Sequence, residues 1–122
     1  MLEHAREYRL RECCGLLAGR GGIISRAFPA ENIAGDPAKS YEISPEQLFP
    51  LMREIRAAGL ELLGIYHSHP AGLNEPSPRD IEQAFYPDAA YFILSPDPET
   101  AKPVRAFSIR DGIVRELQVV VV

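Results

Sequence analysis

Leu62-Leu63-Gly64-Ile65-Tyr66-His67-Ser68-His69-Pro70 is the stretch that decides how this 122-residue chain folds. An apolar run ends in two imidazoles spaced i, i+2. Read as a buried strand, its side chains alternate between faces, so His67 and His69 project to the same side and can grip one ion. Eleven residues past His69, beyond a loop containing Gly72, Asn74 and Pro76, stands Asp80, in what reads as the first turn of a helix. A loop of that length can fold the carboxylate back onto the imidazoles. Two His and one Asp fill three corners of a tetrahedron and leave the fourth for water, which distinguishes a catalytic zinc site from a closed structural one. A two-His, one-carboxylate set also suits non-haem iron. Iron sites generally use His-x-Asp with a distant second His on an all-β barrel, so zinc is the expected ion.

The segment Ser77-Pro78-Arg79-Asp80 also has the composition of a helix start. Ser77 is a good N-cap, Pro78 fits the first helical position and Asp80 complements the helix dipole. Capping and catalysis are compatible, because a capped helix start is a rigid platform for a ligand.

The spacing His67-x-His69, seven residues, Ser77, two residues, Asp80 has an upstream companion, Glu12 in Glu12-Cys13-Cys14-Gly15-Leu16-Leu17. Together they resemble the JAMM signature of the MPN+ (Mov34/MPN/PAD-1, or JAB) metalloproteases. The resemblance extends through Glu31-Asn32, Tyr41-Glu42-Ile43-Ser44-Pro45 and residues 64–94. It implies a single α+β domain over residues 1–122, a curved mixed sheet flanked by helices in a cytidine-deaminase-like layout. It further implies Zn2+ on His67, His69 and Asp80, with Glu12 as the catalytic acid-base. Members of this family cleave isopeptide or peptide bonds after the Gly-Gly tail of ubiquitin or ubiquitin-like proteins. Minimal prokaryotic members are linked to sulfur-carrier proteins, and a chain of this size resembles them. An inactive MPN scaffold and a small-molecule metal-dependent amidohydrolase are the alternatives. Against the first, all five signature positions are intact; against the second, the His-x-Glu and downstream Cys pair of the zinc deaminases are missing.

The chemistry can also be argued from the residues. A zinc site of this kind lowers the pKa of bound water to about 7. Amide hydrolysis then needs a group to take the water proton and hand it to the leaving amine, and a donor for the developing oxyanion. Glu12 opens the apolar run 13–18, where burial would raise a carboxyl pKa as proton shuttling requires. As a solvated strand-edge residue after Arg9 and Arg11 it would do none of this. Ser77 is the candidate oxyanion donor, since a hydroxyl that accepts a capping bond still has its proton to give.

Composition agrees with a small soluble enzyme. One domain of this length buries somewhat over ~60% of its unfolded surface and needs no staples. A net charge of −4, from 13 Lys plus Arg against 17 Asp plus Glu, offers no basic stripe for a phosphate backbone, so nucleic acid is an unexpected partner. Cys13 and Cys14 are neighbours on a strand, point to opposite faces and read as two reduced, buried thiols. With neither a signal-peptide pattern nor an apolar run near 20 residues, a cytoplasmic protein without membrane association is expected. The oligomeric state is not legible.

Around the central motif, residues 2–9 read as a short helix with His4 exposed. Residues 13–18 and 23–29 form a hairpin through Gly19-Arg20-Gly21-Gly22. A polar loop leads to a short strand at 40–43. Ser44-Pro45-Glu46-Gln47 reads as a capping box for a helix whose Leu48, Leu51, Met52, Ile55 and Ala58 share a core face until Gly59. Pro50 either kinks that helix or marks its start. Residues 78–85 are expected as a helix, and 91–95, 104–110 and 113–122 as strands, the last two joined by a tight Asp111-Gly112 turn. The run 119–122 is apolar at every position and is expected to be covered on both faces.

Overall fold

In a computed structural model, which describes residues 1–7 and 11–122, the strands form a six-stranded mixed sheet. In chain order the described elements are α1 (Leu2–Glu7), β1 (Cys14–Arg20), β2 (Ile23–Ala30), α2 (Pro45–Ala57), β3 (Glu61–Ser68), α3 (Pro78–Glu82), β4 (Ala90–Leu94), β5 (Val104–Arg110) and β6 (Ile113–Leu117). Across the sheet the order is β2-β1-β3-β4-β5-β6. The pair β3·β4 is parallel and the other ladders are antiparallel, so the expected mixed α+β layout is correct.

Alternation along β3 assigns the two faces. Ile65 joins Leu16, Ile55, Ile93 and Phe107 in a core packed by Leu48, Leu51 and Met52 of α2 and Ile81 of α3. Tyr66 points the other way, into a second cluster with Leu17, Phe92, Leu94 and Ala5 of α1. Because His67 follows Ile65 by two residues, it lies on the α2 side, where the strand runs out of apolar partners. On the opposite face the ring of Tyr66 occupies the space a side chain at its register partner Gly15 would fill; a Cβ there would stand 2.4–2.5 Å from the ring. Gly15→Ala is therefore expected to cost about 1–3 kcal/mol, the usual penalty of overpacking, measured by chemical denaturation. A loss below a few tenths would mean that the ring moves aside freely.

The helix α2 ends in a Schellman motif: Leu60 N donates to Ile55 O and Gly59 N to Arg56 O, with Gly59 at φ 72°. The tight turn at Asp111-Gly112 has both residues at positive φ, 51° and 77°, as a type I′ hairpin requires.

Several expectations fail for identifiable reasons. Residues 40–43 form no strand, because the Asn32 side chain takes Ser40 O and Glu42 N, the groups a neighbouring strand would have used. Ser44 is the N-cap of α2 but makes no side-chain capping bond, and Gln47 Oε1 instead accepts from Glu31 N at 2.8 Å. The helix starts at Pro45 and carries Pro50 inside it. Residues 83–85 lie beyond α3, whose last helical residue is Glu82. His4 is half-buried, its Nδ1 2.9 Å from the Tyr66 hydroxyl. The expected helix 2–9 is seen over Leu2–Glu7, and its last two positions lie outside the described residues. The valine run 119–122 is not covered: Val121 and Val122 are 94% and 92% exposed. The β5·β6 ladder reaches Ala106↔Leu117, and β5 begins only two residues earlier at Val104, so little partner strand remains beyond Leu117.

Candidate metal centre

The sheet register builds the site. Cys14 pairs with His67, and Ser68 N donates to Cys13 O at 3.1 Å while Cys13 N donates to Ser68 Oγ at 2.9 Å. One step further along the two antiparallel chains, Glu12 comes opposite His69. A 55-residue separation in sequence is thus closed by the β1·β3 pairing. Past the end of β3, His69 N donates to Leu94 O at 2.9 Å, which keeps His69 extended beside β4 and on the same face as His67.

The two imidazoles meet Asp80. His67 Nε2 is 3.2 Å from Asp80 Oδ1, His69 Nε2 is 3.0 Å from Asp80 Oδ2, and the two Nε2 atoms are 3.2 Å apart. Glu12 Oε1 stands further out, 3.9 Å from His67 Nε2. Glu12, His67 and His69 can bring one ligand atom each within 4.8 Å of one another. Asp80 lies closer to both rings than Glu12 does to His67.

Each of these side chains is held by its own support. Carbonyl oxygens only accept, so the 2.8 Å contact from His69 Nδ1 to Leu73 O puts the proton on Nδ1 and leaves Nε2 as the free lone pair of the neutral ring. The Tyr41 ring stacks on His67 at 4.4 Å between centroids and 21° between planes. Ser77 and Asp80 form a complete capping box: Asp80 N donates to Ser77 Oγ at 3.1 Å and Ser77 N donates to Asp80 Oδ2 at 2.9 Å. The helix-start reading of these two residues is therefore correct, and the cap is what aims Asp80 at the imidazoles. Glu12 is fixed through its main chain. Its N donates to Pro37 O at 2.6 Å and its O accepts from Asn32 Nδ2 at 3.0 Å. Asn32 uses its whole amide, donating also to Ser40 O and accepting from Ala34 N and Glu42 N.

The electrostatics follow from burial. Glu12 is 4% exposed, its Oε1 has no hydrogen-bond partner, and desolvation pushes its carboxyl up to about 8 against the opposing pull of His69. Burial likewise lowers the pKa of His67. Burial would raise Asp80 too, but the two imidazoles beside it and the bond from Ser77 N outweigh it and hold that carboxyl well below the usual range.

The donor set fits a small divalent ion. At tetrahedral angles, ligands on bonds of about 2.0–2.1 Å lie roughly 3.3 Å apart, close to the 3.0–3.2 Å separations here. With both rings neutral and unprotonated at Nε2, as a metal ligand requires, two imidazole lone pairs and a carboxylate would face one another with more acceptors than protons. A cation among them removes that conflict.

The five residues singled out in the sequence lie at this one corner of the fold, Ser77 through its bonds to Asp80. Tyr41, Asn32 and the Leu73 carbonyl were not assigned roles from sequence. Tyr41 and Asn32 act through a loop whose path depends on Asn32 itself, which leaves no local periodicity to read. A backbone carbonyl carries no sequence signal at all.

The chain belongs to the family of prokaryotic homologs of the JAB domain, metallopeptidases of the JAMM type, whose model matches residues 1–110. It is 39% identical over 103 residues to the desampylase of Haloferax volcanii, covering 80% of this chain and 74% of that one. It is 34% identical over 124 residues to the CysO-cysteine peptidase of Mycobacterium tuberculosis, covering 100% and 84% respectively. A protein of Desulfitobacterium hafniense solved in solution superposes with a TM-score of 0.85 at 33% identity, covering 98% of this chain and 84% of that one. Among the described residues no helix is long and apolar enough to cross a membrane.

Proposed function

We propose that this chain hydrolyses the amide bond joining the C-terminal Gly-Gly tail of a ubiquitin-like or sulfur-carrier protein to an amino acid or a second chain. The observation that carries the reading is the convergence of His67, His69 and Asp80 to within 3.0–3.2 Å, with the buried Glu12 carboxyl 3.9 Å from His67. The names of the relatives, a desampylase and a CysO-cysteine peptidase, support the substrate class.

His67 Nε2, His69 Nε2 and an Asp80 carboxylate oxygen would hold Zn2+. When bound, zinc supplies a Lewis acid that makes water nucleophilic near neutral pH and polarises the scissile carbonyl. Glu12 takes a proton from the attacking water on its otherwise unpartnered Oε1 and returns it to the leaving nitrogen. Burial raises this carboxyl's affinity for protons, which favours its holding the proton between the two transfers. Ser77 Oγ receives its bond from Asp80 N and so retains its own proton to donate to the carbonyl oxygen as negative charge builds there. Tyr41 and the Leu73 carbonyl keep the two imidazoles in orientation.

The test is cleavage of a ubiquitin-like protein extended beyond its Gly-Gly terminus. Turnover is expected to vanish with a chelator and to return on adding zinc. Turnover that persists in chelator with no bound metal would overturn the reading.

A further inference from the structure

Asn74, 4% exposed, sits in the middle of the loop that joins β3 to α3. Among the described residues between Ser68 and Ala89 it is the buried one, while Ala71, Gly72, Leu73 and Glu75 around it are exposed. Its Nδ2 donates to Lys102 O at 2.8 Å and to Ile93 O at 3.3 Å, so both amide protons go to main-chain carbonyls of other segments. We propose that Asn74 is a positioning residue for the metal centre. By pinning the loop to β4 and to the chain at Lys102, it holds the Leu73 carbonyl against His69 and the Ser77 cap against Asp80. The inference rests on the zinc reading above and adds a residue to it.

The backward link is a single peptide unit. His69 Nδ1 donates to Leu73 O at 2.8 Å, and that carbonyl shares a planar amide with the Asn74 nitrogen. Leu73 gives the carbonyl no anchor of its own, because its side chain is 73% exposed. The anchor is the next side chain along. An acceptor fixed at that distance sets both the rotation of the His69 ring and the nitrogen that carries its proton.

The forward link is three residues long. Pro76 has a ring-locked φ and restricts Glu75 before it to extended backbone, so little freedom separates Asn74 from Ser77. Ser77 in turn caps α3 and aims Asp80. The neighbouring tie is a weak substitute. Glu75 reaches Arg105 at 3.3 Å, but Glu75 is exposed and surface ion pairs hold little. The pin also shares a frame with the imidazoles. Ile93 is the register partner of His67 on β4, and the next residue, Leu94, accepts from His69 N. His67 is seated on β3 and needs no help from the loop, which makes it an internal control.

Zinc titration of the metal-free chain tests the proposal without reference to turnover. Asn74→Ala removes the amide, and Asn74→Leu removes it while keeping nearly the same shape. Both are expected to bind zinc about 10–100-fold more weakly than wild type, the usual effect of losing a group behind a ligand. Ile109→Val, a core change on β5, is expected to leave the affinity unchanged at a temperature where every variant is folded. Amide NMR shifts of the metal-free chain give a second readout. They should change across residues 69–80 in Asn74→Leu and stay in place at Cys14, the register partner of His67. Wild-type zinc affinity in the folded leucine variant would overturn the proposal, as would an equal loss in Ile109→Val. If wild type itself takes up no zinc, the metal reading fails, and the amide shifts alone decide whether Asn74 positions His69 and Asp80.

Discussion

Glu12→Gln is expected to retain zinc at wild-type stoichiometry while kcat falls by about 10²–10⁴-fold, the usual contribution of a positioned acid-base. The substitution is nearly isosteric, the main chain of residue 12 stays tied to Pro37 and Asn32, and His67, His69 and Asp80 are untouched. Only the proton-accepting oxygen is lost. Metal analysis beside steady-state kinetics checks this, and turnover close to wild type would assign the proton to another group. The same variant should change how the metal-free chain responds to pH. The Glu12 carboxyl titrates near its ordinary 4.5 when unfolded but only at about 8 when folded. Between those values the unfolded chain has released a proton that the folded chain keeps, so stability falls as pH rises through the window. Glutamine has no such proton. The gap between the two stability curves should therefore widen in the variant's favour from pH 5 to 8, by on the order of a few kcal/mol. Parallel curves in chelator would mean that water reaches Glu12 in the folded state.

Asp80→Ala should lower zinc affinity by well over ~100-fold, more than the 10–100-fold typical of losing an outer-shell partner. Activity at limiting zinc should disappear with it. Asp80 also accepts from Ser77 N and completes the capping box of α3, so the alanine variant should lose about 1 kcal/mol of stability as well. Asp80→Asn separates the two roles. Its side-chain oxygen can still accept from Ser77 N, which keeps the helix start, but it lacks the charge that a divalent ion and two imidazoles require. The asparagine variant is expected to fold like wild type and bind zinc poorly in a direct titration. Wild-type zinc affinity in Asp80→Asn would reduce Asp80 to a cap, and Glu12 would then be the remaining carboxyl near the imidazoles.

Local chemistry made much of this protein legible from its amino acids. Alternation along residues 62–69 put His67 and His69 on one face, and Ser77-Pro78-Arg79-Asp80 carried its own helix start, because a strand's period and a capping box involve neighbours in sequence. The hairpin at Gly21-Gly22 and the Asp111-Gly112 turn were equally local, since positive φ favours glycine. The signature spacing then joined Glu12 to the set by resemblance.

Only the tertiary structure decided how Glu12 reaches His67. The distance depends on Cys14 pairing with His67, and a slip of one residue in the β1·β3 ladder would turn every side chain of β1 to the other face. The same limit explains the misread segments. Whether residues 40–43 pair as a strand depended on what the Asn32 amide was doing eight residues away. Whether residues 119–122 were covered depended on where β5 began. Composition determined which groups could hold a metal and move a proton. Register, a property of two chain segments 55 residues apart, determined that they meet.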